Sequence, residues 1–181
     1  HLAMMDRVNA ARPGANPQSN VSAAGDFEDF AAMTQAGWRH FQHPTATVQS
    51  SAELSPPCAR SGRFGLRLAA RPVDPKTPPM WLESPPIWIT APPVPVTAGQ
   101  TFLIHGWIQV RQPIQASVDG LLIVDSLGGE PLAERVRGTT GWHEFRLYRA
   151  ASQSGVLNVT FALSGLGEAW LDDVTIQAVA P

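Results

Sequence analysis

The stretch TFLIHGWIQVR, Thr101 to Arg111, decides the fold class of this chain. Its apolar residues recur at every second position and so share one face, namely Phe102, Ile104, Ile108 and Val110. Alternation with a period of two is typical of a β-strand that buries one side. The other face then carries Leu103, His105, Trp107, Gln109 and Arg111. The stretch therefore predicts a strand with an apolar inner face and an outer face of aromatic and hydrogen-bonding groups.

The same alternation recurs along most of the chain. It is found in GRFGLRLAA, PPIWIT, LLIV, HEFRLY and LNVTFALS, with turn signals such as Asp119-Gly120 and Ser154-Gly155 between them. We expect about eight to ten short strands, because each apolar run is short and bounded by turn residues. FEDFAAMTQAGW has room for one short helical turn, and the 17 prolines mark sheet edges and loops. The pattern predicts an all-β protein, a two-sheet antiparallel β-sandwich or jelly roll.

Composition excludes several classes of protein. The formal net charge is −2, charged residues make up 15% of the chain, and no block of like charge occurs. This argues against a nucleic-acid-binding protein and favours a neutral, polar partner. No apolar run approaches the ~20 residues of a membrane span, so we expect no membrane insertion. Cys58 is the only cysteine, which excludes an internal disulfide.

The N-terminal region differs in composition from the rest. His1 to Met4 are typical of a cleaved-tag scar, and residues 1–19 as a whole predict a flexible arm rich in Ala, Pro and Asn. Residues 20–181 then form the β-sandwich module. We expect this module to be a monomer that is attached to other domains in its native chain.

Four motifs in order carry a resemblance to a known group of domains. They are NVSAAGDFEDF with the following GW (Asn20 to Trp38), GRFGLRLAA, PPVPVTAGQTFLIHGWIQV, and GTTGWHEFRLY through to WLDDVTI. Together they resemble the galactose-binding-like β-sandwich domains, and more narrowly the carbohydrate-binding modules of the xylan- and glucan-binding families four, nine and twenty-two. The resemblance spans about Asn20 to Gln177. It implies a galactose-binding domain-like jelly roll, a non-catalytic module that binds a poly- or oligosaccharide, and a secreted, periplasmic or cell-surface location.

Acidic residues near both ends of the chain have a role implied by this resemblance. In the families it names, such acids often hold a structural calcium ion, and the matching residues here are Glu28, the Asp26 carbonyl, and Asp172 or Asp173. Calcium takes six to eight oxygen ligands. The alternative is that one aspartate caps a turn through backbone N–H groups and the other is solvated.

Strand geometry limits what the two aspartates can do. Neighbouring strand residues point to opposite faces, so Asp172 and Asp173 cannot face each other as a catalytic pair, and we predict no catalytic residues. Along the strand, Asp172 shares its face with Val174 and Ile176. Either Asp172 points towards the core and needs a partner, or Val174 and Ile176 line the second face.

The outer faces of three strands supply the predicted sugar-binding residues. Sugar rings stack on aromatic faces, and their hydroxyl groups bond planar polar side chains. The predicted ligand-binding residues are Trp107, His105, Gln109, Arg111, Trp142, Arg67 and Tyr148, whereas Trp38 is predicted in the core. Two other readings stay open. The face could be covered by loops or a neighbouring domain, in an interaction module without a sugar site, or the chain could be a small glycan-active enzyme.

Overall fold

Two antiparallel sheets of five strands each form the protein in the computed structural model, which describes residues 21–179. The front sheet has the strand order β2-β3-β12-β6-β9, the back sheet has the order β1-β4-β11-β7-β8, and β5 pairs with β10. The predicted all-β, two-sheet antiparallel sandwich is confirmed. The predicted arm over residues 1–19 lies outside the described residues. No helix within residues 21–179 is long and apolar enough to cross a membrane.

The elements are short, as the spacing of turn residues predicts. They are helix α1 (Phe30–Ala36) and strands β1 (Arg39–Gln42), β2 (Val48–Ser55), β3 (Gly65–Pro72), β4 (Ile87–Thr90), β5 (Val94–Val96), β6 (Thr101–Gln109), β7 (Leu121–Asp125), β8 (Glu134–Val136), β9 (His143–Ala150), β10 (Gly155–Leu157), β11 (Val159–Leu163) and β12 (Gly167–Val179). Short 3-10 turns lie at Pro56–Cys58 and Glu130–Leu132.

The core lies between the sheets and follows the period of two. Strand β6 alternates strictly between buried and partly exposed residues, with Phe102, Ile104 and Ile108 at most 1% exposed. LNVTFALS is divided at Asn158 into β10 and β11, and its inward-facing residues are buried as predicted. The sequence did not predict β2, because this edge strand is partly exposed on both faces and VQSSAELS has no clear apolar period.

Helix α1 packs against the core through the buried Met33. The Asp29 side chain caps its first turn by accepting the N–H groups of Ala31 and Ala32. Gly37, with a φ of 105°, ends the helix in the left-handed conformation that glycine adopts without steric cost. Trp38 then lies in the core, 5% exposed, and its Nε1–H donates to the Ala23 carbonyl. The predicted helical turn and the core position of Trp38 are confirmed.

Strand β12 is the central strand of the front sheet and contains a β-bulge. Asp172 pairs with Trp107 and Thr175 with His105, so two residues, Asp173 and Val174, lie opposite one. Asp173 has a φ of 51°.

The bulge decides which face of the sheet Asp172 and Val174 occupy. Asp172 lies on the same side as its partner Trp107, away from the core, while Val174 and Ile176 are in the core. The two arrangements predicted for Asp172 both assumed that side chains alternate without interruption along β12. Both are wrong, because the extra residue of the bulge puts Val174 and Ile176 on the core side and leaves Asp172 on the outer side.

A buried ion pair joins the two sheets. Arg149, at the end of β9, is 9% exposed and occupies an inward position. Its Nε donates to Asp125 Oδ2 of β7 at 2.8 Å, and its Nη2 donates to the Leu132 carbonyl. Asp125 Oδ1 accepts the N–H groups of Leu127 and Gly128. Both charges therefore have hydrogen-bond partners in the interior, which burial of charge requires.

Replacing Arg149 by Met should destabilise the protein strongly. The change leaves the fully buried Asp125 carboxylate without its cation, which typically costs about 3–5 kcal/mol. Urea unfolding measures this as a lower free energy of unfolding. Arg146→Met is the matched control, because Arg146 lies on the same strand and its ion pair with Glu144 is exposed and screened by solvent. It should leave the free energy of unfolding nearly unchanged. Equal effects of the two substitutions would contradict the role of the buried pair.

Candidate ligand-binding face

The outer surface of the front sheet, called the front face below, carries a row of side chains across four strands. Arg67 pairs with Glu53 on one side and with Trp170 on the other, and Trp170 pairs with Gln109. Paired residues of an antiparallel sheet project to the same side. The half-buried indole of Trp170 therefore lies between the planar polar groups of Arg67 and Gln109.

Ionic hydrogen bonds fix the polar groups around Trp170. Arg67 Nη1 lies 2.7 Å from Glu53 Oε1, and Arg67 Nη2 lies 2.8 Å from Glu168 Oε2. The Trp170 indole N–H donates to the other oxygen of Glu168. The hydrogen bond from Arg67 lowers the pKa of Glu168, which keeps this carboxylate ionised at neutral pH. These side chains are held in place before any ligand arrives.

A groove runs beside Trp170, with the small residues Ser51, Ala69 and Gly167 in its floor. Ser51 pairs with Ala69, and Ala69 pairs with Glu168, which follows Gly167. The groove contains a cavity of about 770 Å³ over this floor and a second of about 300 Å³ against Trp170. Gln112 and Glu168 line both cavities. An elongated ligand can thus lie on the small residues with the indole at its side.

Trp107, the main aromatic residue predicted from the sequence, lies on the front face but is covered. The guanidinium carbon of Arg60 is 3.7 Å from the centre of the Trp107 ring, a cation–π contact. Arg60 is itself held by Asp173, with Nη1 2.9 Å from Oδ2. One face of the Trp107 ring is therefore occupied by a residue of this chain.

The other predicted residues divide into two groups. Gln109, Arg111 and Trp142 join Arg67 around Trp170, with the Trp142 ring 6.4 Å and the Arg111 guanidinium 5.4 Å from the Trp170 ring. Trp107, His105 and Tyr148 lie further along β6 and β9.

In the second group, His105 is hydrogen-bonded to Glu144 of the edge strand β9. His105 Nε2 lies 2.6 Å from Glu144 Oε1, which also accepts a bond from Arg146. These two hydrogen bonds lower the pKa of Glu144. Tyr148 is 58% exposed.

Sequence reasoning missed Trp170 and Glu168 as members of the site. Both belong to EAWLDDV, which was interpreted only through its aspartates. The signal was present, because Glu168 and Trp170 alternate with the buried Ala169 and Leu171. What the sequence lacked was the strand order that places β12 between β3 and β6.

The acids near both ends of the chain, which were predicted to bind a metal, both accept backbone N–H groups of one loop, residues 60–64. Glu28 accepts the N–H groups of Arg63 at 3.0 Å and Phe64 at 3.2 Å. Asp172, fully buried, accepts those of Arg60 at 2.7 Å and Ser61 at 3.2 Å through Oδ2.

Burial raises the pKa of Asp172 to about 6, against the effect of these N–H groups. Gly62 has a φ of 66°, and a Cβ there would lie 2.2 Å from Glu28 Oε1. The loop therefore requires glycine at this position.

The donor set at these acids does not match a calcium site in this conformation. The carboxylates of Glu28 and Asp172 already accept backbone N–H groups, and Asp173 binds Arg60 and Ser61. Within residues 21–179, no group of three or more His, Cys, Asp or Glu side chains is placed to hold a metal ion. Calcium stays a prediction of the resemblance.

Comparison with known proteins confirms the fold. No family model and no curated protein sequence matches the chain. Among solved structures, a family-4 carbohydrate-binding module matches with a TM-score of 0.59 and 14% identity over 86% of this chain and 97% of that one. The family-61 module TmCBM61, in complex with β-1,4-galactotriose, matches with a TM-score of 0.53 and 14% identity over 88% of this chain and 98% of that one.

A third match is to part of a longer chain. It is the enzymatically active domain of tailspike protein 4 of bacteriophage CBA120, with a TM-score of 0.56 and 12% identity over 91% of this chain and 22% of that one. The chain thus has the β-sandwich fold of carbohydrate-binding modules, as the motifs predicted.

Replacing Asp172 by Ala should destabilise the protein by about 2–3 kcal/mol, because the backbone N–H groups of Arg60, Ser61 and Asp173 lose a charged acceptor inside the protein. Thermal or urea unfolding measures the change. Asp26→Ala is the matched control, since Asp26 is exposed and holds no loop, and it should change the free energy of unfolding by less than about 0.5 kcal/mol. An Asp172→Ala variant as stable as the wild type would show that the loop is held by other contacts.

Chelation tests whether calcium adds to these contacts. The resemblance predicts a lower melting midpoint in EGTA than in millimolar calcium, because removal of a bound ion removes its stabilisation of the folded state. Scanning calorimetry of the wild type in both buffers measures the difference. The N–H contacts alone predict equal midpoints, and that result would remove calcium from this fold.

Proposed function

We propose that this chain is a non-catalytic carbohydrate-binding module, which binds a poly- or oligosaccharide in the groove of the front face. The observation that carries the proposal is the half-buried ring of Trp170 beside an open groove of small residues. Binding sites for sugars combine such an aromatic face with a few placed polar groups. The likeness of the fold to carbohydrate-binding modules supports the same conclusion.

Stacking and hydrogen bonding together explain how the groove would hold a sugar. The apolar C–H groups of a pyranose ring lie against the indole of Trp170, while its hydroxyl groups bond Gln109 and Glu168. Because Arg67 and Glu168 are already fixed by ion pairs, little side-chain freedom is lost on binding. Arg111 and Trp142, both next to Trp170, extend the contact surface.

The carboxylates of the groove support binding without bond cleavage. Glycoside hydrolysis needs one carboxylic acid that is protonated and a second carboxylate across the substrate. Glu53 and Glu168 are both bonded to Arg67, and the pKa of Glu168 is lowered, which is the wrong direction for a general acid.

In its native setting, the module belongs to a larger secreted protein. The match to a segment of the much longer tailspike chain supports this arrangement. Attachment to a partner domain raises the effective concentration of that domain at the polysaccharide.

Replacing Trp170 by Ala should weaken glycan binding at least about tenfold, because a central aromatic anchor is lost. Retention on an array of polysaccharides, followed by calorimetric titration with the best oligosaccharide, measures the affinity. Trp81→Ala is the matched control, since Trp81 is 56% exposed and lines a separate cavity.

Three results would contradict the proposal. If wild-type protein is retained by no glycan, the chain is better explained as an interaction module without a sugar site. If Trp170→Ala binds as tightly as the wild type while Trp107→Ala does not, the site lies further along β6 than we place it. Release of new reducing ends by the wild type would show an enzyme.

A further inference from the structure

The charges that line the groove are not balanced. Arg67, Arg71, Arg111 and a single acid, Glu168, line its two cavities. Glu53 lies at the edge, and both glutamates are bonded to Arg67. Even with Glu53 included, the groove has one more positive than negative charge.

Arg71 and Arg111 carry this excess positive charge. Neither takes part in any ion pair among residues 21–179, and both are exposed. Arg71 Nε donates to the Gln49 side chain at 3.3 Å, and the Arg111 guanidinium lies 5.4 Å from the Trp170 ring. Among the described residues, neither guanidinium ion is bonded to a carboxylate, although both line the groove.

The two arginines lie on or just after the two neighbours of β12. Arg71 belongs to β3, Arg111 follows β6, and β12 runs between these strands with Gly167 and Glu168 at this level. A planar guanidinium binds a carboxylate or a sulfate through two parallel hydrogen bonds. The walls of a cleft also strengthen the field of like charges that line it.

The groove continues beyond Arg71 without any acidic residue. A further cavity of about 650 Å³ shares Ala70, Arg71 and Gly167 with the first and is walled by Pro75, Pro78 and Met80. A polymer that passes over Trp170 therefore meets Arg111 and Arg71 and then leaves along an uncharged wall of prolines.

We infer that the glycan of this site is anionic, with carboxylate or sulfate groups that bind Arg71 and Arg111. This inference rests on the proposed function, since it specifies the ligand of the same groove. Such a site differs from one for neutral glucan or xylan chains, because the anionic groups of the ligand supply part of the affinity.

Matched pairs of polymers test the inference. Affinity electrophoresis compares polygalacturonate and alginate with their carboxyl-reduced, neutral forms, and carrageenan with its desulfated form. We expect the wild type to be retained at least about tenfold more strongly by a charged form than by its neutral partner, since charge-assisted hydrogen bonds are lost on neutralisation. The uronate and sulfate arms show which anionic group is bound. Retention should also fall as sodium chloride is raised.

Single variants assign the effect to the two arginines. Arg71→Gln and Arg111→Gln should each reduce retention on the charged polymer several-fold, and the double variant should bind charged and neutral forms equally. Arg39→Gln is the control, because Arg39 is an exposed arginine on β1 of the back sheet and belongs to no ion pair among the described residues. It should leave retention unchanged. Melting midpoints of all variants confirm that they are folded.

The outcomes separate this inference from the proposed function. Equal retention of charged and neutral forms, still abolished by Trp170→Ala, would overturn the anionic preference and leave a neutral sugar site. Arginine variants that bind charged polymers like the wild type would overturn the assignment to Arg71 and Arg111. Absence of retention on every polymer would overturn both.

Discussion

The pairing of β12 with β3 and β6 is the constraint on which the front face depends. It places Trp170 between Arg67 and Gln109, and it brings Glu168 within reach of Arg67. A shift of one residue along either neighbour would send these side chains into the core and the apolar ones to the surface. The register is secured by the buried Leu171, Val174 and Ile176, which cannot be exposed without a large loss of apolar burial.

The bulge at Asp173 joins this pairing to the rest of the site. A non-glycine residue with positive φ typically costs about 1 kcal/mol or more, and it persists where surrounding contacts determine it. Here the Val174 N–H donates to the Gly25 carbonyl, while Asp172 and Asp173 bind the loop that follows the turn at Pro56–Cys58. That loop carries Arg60, which covers Trp107. The two aspartates therefore decide which tryptophan of the front face stays open to a ligand.

Most of the fold could be predicted because its cause is local. Alternation in β6 and β9 follows directly from the burial of one face, and the turn residues mark where each strand ends. The site could be predicted only in part. The outer positions of β6 and β9 were identified correctly, but the openness of each ring depends on loops that have no period.

Arg60 shows why the rest could not be predicted. Nothing in PCARSG indicates that its arginine lies over an aromatic ring more than 40 positions further along the chain. The same holds for the edge strands β1 and β2, whose residues apart from Val48 are exposed or only partly buried and therefore carry little pattern.

Charge shows most clearly why overall composition does not predict the ligand of the groove. A net charge of −2 and a charged fraction of 15% favour a neutral partner when the charges are treated as evenly spread.

The charges are not evenly spread in the structure. Asp125 and Asp172 are buried among hydrogen-bond donors, and Glu53 and Glu168 are bonded to Arg67. Arg67 offsets only one of the two carboxylates that it binds, but Arg71 and Arg111 still leave the groove with one more positive than negative charge. The local charge therefore has the opposite sign to the total. Because interactions between exposed charges fade over about 10 Å in salt, the ligand responds to this local pair and not to the chain as a whole.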